Sequence, residues 1–180
     1  PALVGAWVLK ADSLSMKGDA TGQLAAYEAC LQASPMANQC LSRRVVALGR
    51  AGQCEAMRDG ARRLLSLSAK SASTQRQLAV ALFATGAPHD TVLEALSRSF
   101  SLVPDDERPA REGSDRSALA ILEGDFQSAE RAIVDWAAAV KDKTDQTHHA
   151  DPALELAALH EEMGDDRKAG SIAEAFVRRM

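Results

Sequence analysis

A chain of 180 residues holds one or two ordinary domains or a short repeat array and excludes a large multidomain enzyme. Apolar residues at 46% and charged residues at 26% exclude a disordered polyelectrolyte, and no run of 18 apolar residues is present to insert into a membrane as a helix. The formal charge of −4 provides no overall field that would draw the chain to nucleic acid or anionic lipid.

Aromatic residues are only 4% of the chain while alanine occupies 35 positions, so the core must be built from small side chains at close helix–helix approach. That composition predicts an all-helical protein. Glycines then set a period: Gly18, Gly52 and Gly86 recur every 34 residues, and Gly124 and Gly164 follow at intervals of 38 and 40. The surplus falls in the polar stretches 104–115 and 141–151, where added length forms loops. Five helix–turn–helix units result, at about 4–37, 38–71, 72–106, 107–145 and 150–180, in a single repeat domain spanning 1–180.

In unit one, Trp7, Ala11 and Leu14 share a helical face before the glycine, and Leu24, Tyr27 and Leu31 share one after it. Unit two repeats this with Leu41, Val45 and Leu48, then Met57, Ala61, Leu64 and Leu65. In unit three the faces are Leu78, Ala79 and Leu82, then Val92, Leu96 and Phe100, with Thr74/Gln77 and Thr91/Glu94 spaced as capping boxes. Unit four has Leu119, Ile121 and Leu122, then Phe126, Ala129, Ile133 and Trp136. Unit five opens on Asp151-Pro152 with Glu155, an N-cap, a proline in the first turn and an acidic first turn. It continues with Leu156, Ala157 and Leu159, then Ala169, Ala173 and Phe176. A residue with positive φ is needed to end each first helix, which is why glycine marks the turns. Sustained period-2 alternation is missing, so no strand is predicted.

These residues resemble the tetratricopeptide repeat (TPR) family over nearly the whole chain. Trp7, Tyr27 and Pro35 stand eleven residues before, nine after and seventeen after Gly18, matching the family's tryptophan, aromatic and closing-proline positions. Gly124-Asp125-Phe126 followed by Ala129 resembles its post-turn run. The repeats are degenerate: Lys10, Arg44 and Arg116 occupy places where the family has leucine, and Gly113 stands where a large apolar residue is usual. The fold class implied is all-α, a right-handed superhelical solenoid of antiparallel helix pairs.

No motif carries catalysis. Cys30, Cys40 and Cys54 lack a C-x-x-C pair or a nearby histidine that would suggest zinc. His148-His149 and His160 read as solvated or packing residues, and Asp105-Asp106-Glu107 and Glu161-Glu162 as solvated faces with no nucleophile or oxyanion hole beside them. The glycines fit neither phosphate-binding pattern. No metal, cofactor or enzymatic activity is expected. Under the resemblance, Cys30 and Cys40 lie close enough for a disulfide, but three reduced thiols and a cytoplasmic setting are the expectation. A Cys30–Cys40 disulfide would instead indicate a periplasmic or extracellular one.

The resemblance also implies a groove lined by the first helix of each unit, with Val8, Asp12 and Ser15 from unit one, Arg43, Val46 and Arg50 from unit two, and Arg76, Val80 and Phe83 from unit three. Unit four adds Arg111, Ala118 and Ile121, and unit five adds Asp151, Glu155, Ala158 and Glu162. The family's two-carboxylate clamp for chaperone tails is missing, since Val8 and Asp12 replace its first lysine and asparagine and Ser73 and Gln77 stand at later places. The expected function is a noncatalytic scaffold binding a protein or an acidic peptide through Arg43, Val46, Arg50, Arg76, Val80, Phe83 and Arg111. The alternative is a regulatory or sensor module of a larger enzyme such as a protein kinase.

Charge is unevenly distributed. Residues 1–90 carry 10 Lys and Arg against 6 Asp and Glu, a net of +4, while residues 91–180 carry 11 against 19, a net of −8. Weak head-to-tail self-association is a further expectation from this asymmetry. The chain starts at Pro1 and stops at Arg178-Arg179-Met180 within an apparent helix, so it reads as a piece of a longer protein, and its Ala- and Arg-rich composition points to a bacterial source.

Overall fold

The computed structural model describes residues 2–140 and 151–178. Among these, every regular element is an α-helix: α1 (Ala2–Met16), α2 (Ala20–Ala33), α3 (Asn38–Arg50), α4 (Cys54–Leu67), α5 (Ala72–Ala84), α6 (His89–Ser101), α7 (Arg108–Leu122), α8 (Phe126–Val140), α9 (Pro152–Glu162) and α10 (Asp166–Val177). Consecutive helices pair as hairpins, and the chain's contacts group α1–α6 and α7–α10 into two compact units, residues 1–102 and 103–180.

All five hairpin turns are built alike. Gly18, Gly52, Gly86, Gly124 and Gly164 have φ between +69° and +76°. The amide after each glycine donates to the carbonyl five residues back, as Gln53 does to Leu48 (2.9 Å) and Asp165 to His160 (2.8 Å). This is the six-to-one bond of a Schellman cap, and it needs a left-handed residue just before the donor. In three turns the donor is an aspartate that also caps the next helix: Asp19 accepts from Gly22 N, Asp125 from Ser128 N and Asp165 from Lys168 N. One Gly-Asp dipeptide thus closes one helix and opens another. A Cβ at Gly18 or Gly52 would meet no atom within 4 Å, so their intolerance of side chains is conformational. Gly52→Ala is expected to cost ~1 kcal/mol or more, read as a lower urea midpoint at unchanged slope. Unchanged stability would reject positive φ as the reason for the 34-residue spacing.

Two helix starts lie three residues upstream of the expected capping boxes. Ser71, not Thr74, caps α5, its Oγ accepting from Thr74 N at 3.3 Å, and α6 follows Pro88, whose carbonyl accepts from Thr91 N. Proline's fixed φ starts the helix before Thr91 can. Asp151 caps α9 as expected, accepting from Ala153 N at 2.7 Å.

The core of the first unit is stitched from small clusters. Val8, Leu31, Leu41 and Leu64 meet around the two cysteines, while Tyr27 packs with Ala11, Ala26 and Ala47. Cys30 and Cys40 are joined by a disulfide with Cα atoms 6.4 Å apart, and Cys54 is free. The expectation of three reduced thiols is therefore overturned: the short α2–α3 connection brings the two buried sulfurs into bonding geometry.

In the second unit, Ala129, Ile133 and Leu159 form one cluster and Ala110, Trp136 and Val140 another. Gly113 explains the missing large residue of α7. A Cβ there would collide with Trp136 Cβ and lie 2.8 Å from its Cγ, so the bulk has moved across the hairpin onto α8. Leu122, assigned to the α7 core face, is instead 65% exposed at the last residue of the helix. The charged replacements of leucine are equally local: Lys10 Nζ lies 5.0 Å from the Trp7 ring centroid, Arg44 pairs with Glu28 across α2–α3, and Arg116 pairs with Glu112 one turn back.

Candidate functional site

The first helices of the first unit, α1, α3 and α5, stand side by side. Polar side chains tie their common face together. Arg43 Nη1 donates to both carboxylate oxygens of Asp12, at 2.9 and 3.2 Å, and the Tyr27 hydroxyl reaches the same Asp12 oxygen at 3.4 Å. Gln77 Nε2 donates to Ser42 Oγ at 2.7 Å. Asp12 thereby links α1, α2 and α3, and Ser42 links α3 to α5.

Between α1 and α3 lies an open cleft of about 390 Å³, with Asp12, Met16, Arg43, Val46 and Arg50 on its walls and Gln23 and Tyr27 at its floor. Met16 is 84% and Val46 40% exposed, an apolar rim beside charge. Arg43 spends its charge on Asp12. Arg50, in the last turn of α3, is exposed and pairs with no acidic side chain among the described residues. That leaves the cleft with a positive charge not compensated by its described neighbours, and the guanidinium donors suit a planar anion.

The expected residues are distributed as follows. Arg43, Val46 and Arg50 line this cleft with Asp12 and Ser15. Arg76 and Val80 are exposed on α5, with Phe83 half-buried on the same helix. Val8 does not face a groove: it is 5% exposed and packs on Cys30 and Leu41, because its side of α1 faces α2 and α3. Arg111 is half-buried on α7 and belongs to the second unit. In that unit the Asp151 carboxylate is committed to capping α9, while Ala118, Ala158 and Glu162 are exposed. The sequence marked Tyr27 as a residue of the inward face after the turn and did not single out Gln23. Their role at the cleft floor comes from the packing of α2 behind α1 and α3.

The second unit has a polar junction of its own. Glu130 on α8 accepts from Lys168 Nζ at 3.0 Å and lies 3.4 Å from Nε2 of His160, which is 2% exposed. The Lys168 hydrogen bond holds the Glu130 carboxyl below the usual carboxylate range, against the effect of burial. The Asp125 carboxyl is held down by the hydrogen bonds from Ser128. His160 is a packed histidine, and His148-His149 lie outside the described residues. Among the described residues no three His, Cys, Asp or Glu side chains converge as metal ligands, and no helix is long and apolar enough to cross a membrane.

No family model matches the sequence, and no curated protein matches it in sequence. The backbone does have relatives among solved structures. A variant of the nearly identical TPR-like repeats of a Podosopora anserina kinesin light chain superposes with a TM-score of 0.70 at 15% identity, covering 98% of this chain and 97% of that one. A thermophilic TPR protein of Thermus thermophilus gives 0.63 at 18% identity, covering 94% and 87%. MamA of Desulfovibrio magneticus RS-1 gives 0.59 at 10% identity, covering 99% and 95%. The fold is that of a TPR protein. It is the all-helical repeat class that the glycine period predicts, and in the TPR arrangement α1, α3 and α5 are the first helices of successive repeats. The cleft is thus on the first-helix side of the TPR-like hairpins of the first unit.

Proposed function

We propose that the protein is a noncatalytic TPR scaffold that holds an acidic peptide segment against α1, α3 and α5. The observation that carries this reading is the cleft between α1 and α3, where Arg50, without an acidic partner among the described residues, stands beside exposed Val46 and Met16. A ligand carboxylate at Arg50 gains a charge-assisted hydrogen bond, and an adjacent apolar side chain covers the rim. Arg43, once a carboxylate competes with Asp12 for its second edge, and Arg76, Val80 and Phe83 on α5 extend the surface. Nucleic acid is disfavoured by the acidic total and the scarcity of stacking aromatics. The Cys30–Cys40 disulfide supports an oxidising compartment, periplasmic or extracellular, as the place of action. The unequal charge of the two halves supports contact with another copy as well.

The test is fluorescence anisotropy with labelled nine-residue peptides of alternating glutamate and leucine. Affinity is expected to fall with salt, and Arg50→Glu should weaken binding by about tenfold or more. Arg178→Glu, an exposed substitution on the other unit, should leave it unchanged. The neighbouring Arg179 lies outside the described residues. Equal losses from the two variants would reduce the effect to diffuse electrostatics and reject the cleft.

A further inference from the structure

Asp12 occupies a position that is apolar in the neighbouring hairpins. Asp12, Val46 and Val80 each stand six residues before a turn glycine, on the first helices α1, α3 and α5. Val46 and Val80 are exposed there, so this position of the first-helix face tolerates an apolar side chain. The repeat therefore does not require the carboxylate of Asp12, which lies on the cleft wall. Both of its oxygens accept from Arg43 Nη1, at 2.9 and 3.2 Å, and the hydroxyl of buried Tyr27 steadies Oδ1 from α2 at 3.4 Å. Side chains of the pair are 38% and 47% exposed, within reach of a ligand.

Two guanidinium groups of α3 line the cleft. Arg43 and Arg50 are seven residues apart, two helical turns or ~10.5 Å along the axis, with Val46 between them. An extended segment whose acidic residues are three positions apart spans about the same length. One carboxylate meets Arg50, which has no acidic partner among the described residues. A second must displace Asp12 from Arg43. Displacement exchanges one charge-assisted hydrogen bond for another and leaves Asp12 beside the incoming carboxylate, so the second acid gains nothing.

We propose that Asp12 is the specificity-determining residue of the cleft: it stands in for a ligand carboxylate at Arg43, so the cleft selects segments with one acidic residue beside an apolar one and is indifferent to a second acid. The assignment rests on peptide binding in the cleft and adds to it the number of acidic groups that the ligand presents. Asp12 also links α1, α2 and α3, and that link acts on every ligand alike. A preference between two peptides that differ by one acid reports the specificity role alone.

The test uses the full chain with its disulfide intact and two labelled nine-residue peptides of leucine and serine. One carries a single central glutamate, and the other a second glutamate three positions further on. Fluorescence anisotropy is expected to give wild-type affinities for the two within about twofold of each other. Asp12→Asn keeps the side-chain volume and an oxygen for Tyr27 and Arg43. In that variant the two-glutamate peptide should bind about fivefold more tightly than the other, the effect of one exposed ion pair. Adding Arg43→Gln to it should return the ratio to the wild-type value. Asp59→Asn, the same change of charge at an exposed site on α4, should leave the wild-type ratio in place. A wild-type chain that already prefers the two-glutamate peptide by about fivefold overturns the proposal, as does an Asp12→Asn ratio equal to the wild-type one. In both cases peptide binding stands if Arg50→Glu still weakens both peptides. If neither peptide binds the wild-type chain or Asp12→Asn, peptide binding in the cleft fails and the assignment of Asp12 fails with it.

Discussion

Replacing Trp136 by alanine is expected to destabilise the α7–α8 hairpin by ~3–5 kcal/mol, the cost of emptying a large buried aromatic site. Trp136 is 2% exposed and fills the space that Gly113 leaves open on α7, so no other side chain can move in to take up the volume. The reciprocal change, Gly113→Leu, forces a side chain into the Trp136 ring. It should cost ~1–3 kcal/mol or more, despite leucine's better helix propensity. The decisive measurement is the double variant G113L/W136A. If the two positions share one volume, the double variant is markedly more stable than the sum of the single losses. Strict additivity would mean that Gly113 is small for another reason. Because the chain forms two compact units, amide exchange along α7 and α8 is a better readout than a single global midpoint.

Reduction of the Cys30–Cys40 disulfide is expected to lower the stability of the first unit by about 2–3 kcal/mol, the chain-entropy value for a closed loop of this length. The bond crosses from α2 to α3, so its loss falls on the junction that also carries Glu28–Arg44 and shapes one wall of the cleft. The variant Cys30→Ala/Cys40→Ala should reproduce the loss under oxidising conditions and be insensitive to reductant. Amides of α9 and α10 should be unaffected in both cases. Titration of the denatured oxidised protein should find one thiol, Cys54. Three thiols would refute the disulfide, and equal destabilisation of both units would refute a local effect.

By itself the sequence determined the helical class, the hairpin count and the turn positions, because these depend on local rules. Only glycine sits comfortably at φ near +70°, only a 3.6-residue period buries one stripe of a helix, and alanine-rich faces permit close packing. Neighbours in the chain settle such matters, and the 34-residue recurrence of Gly18, Gly52 and Gly86 is enough to read them. The resemblance to the TPR family grouped Arg43, Val46 and Arg50, and all three line the cleft between α1 and α3.

What only the tertiary structure decided is the pairing of side chains distant in sequence. Spacing said that a large residue was missing at Gly113, but not that Trp136, on the facing helix, supplies the bulk. The family resemblance put Arg43 on a groove, but not its charge onto Asp12, which leaves Arg50 as the cleft cation with no acidic partner among the described residues. Val8 went to the core because helix rotation within α1 is set by contact with α2 and α3, where a modest turn of the helix exchanges groove for interior. The same holds for the cysteines: their separation of ten residues allowed either thiols or a bond, and the 6.4 Å between their Cα atoms selected the bond. Local periodicity fixes which residues can face inward, whereas which partner each one meets depends on how neighbouring hairpins stack, and that is decided by the volumes and charges on both sides of the contact.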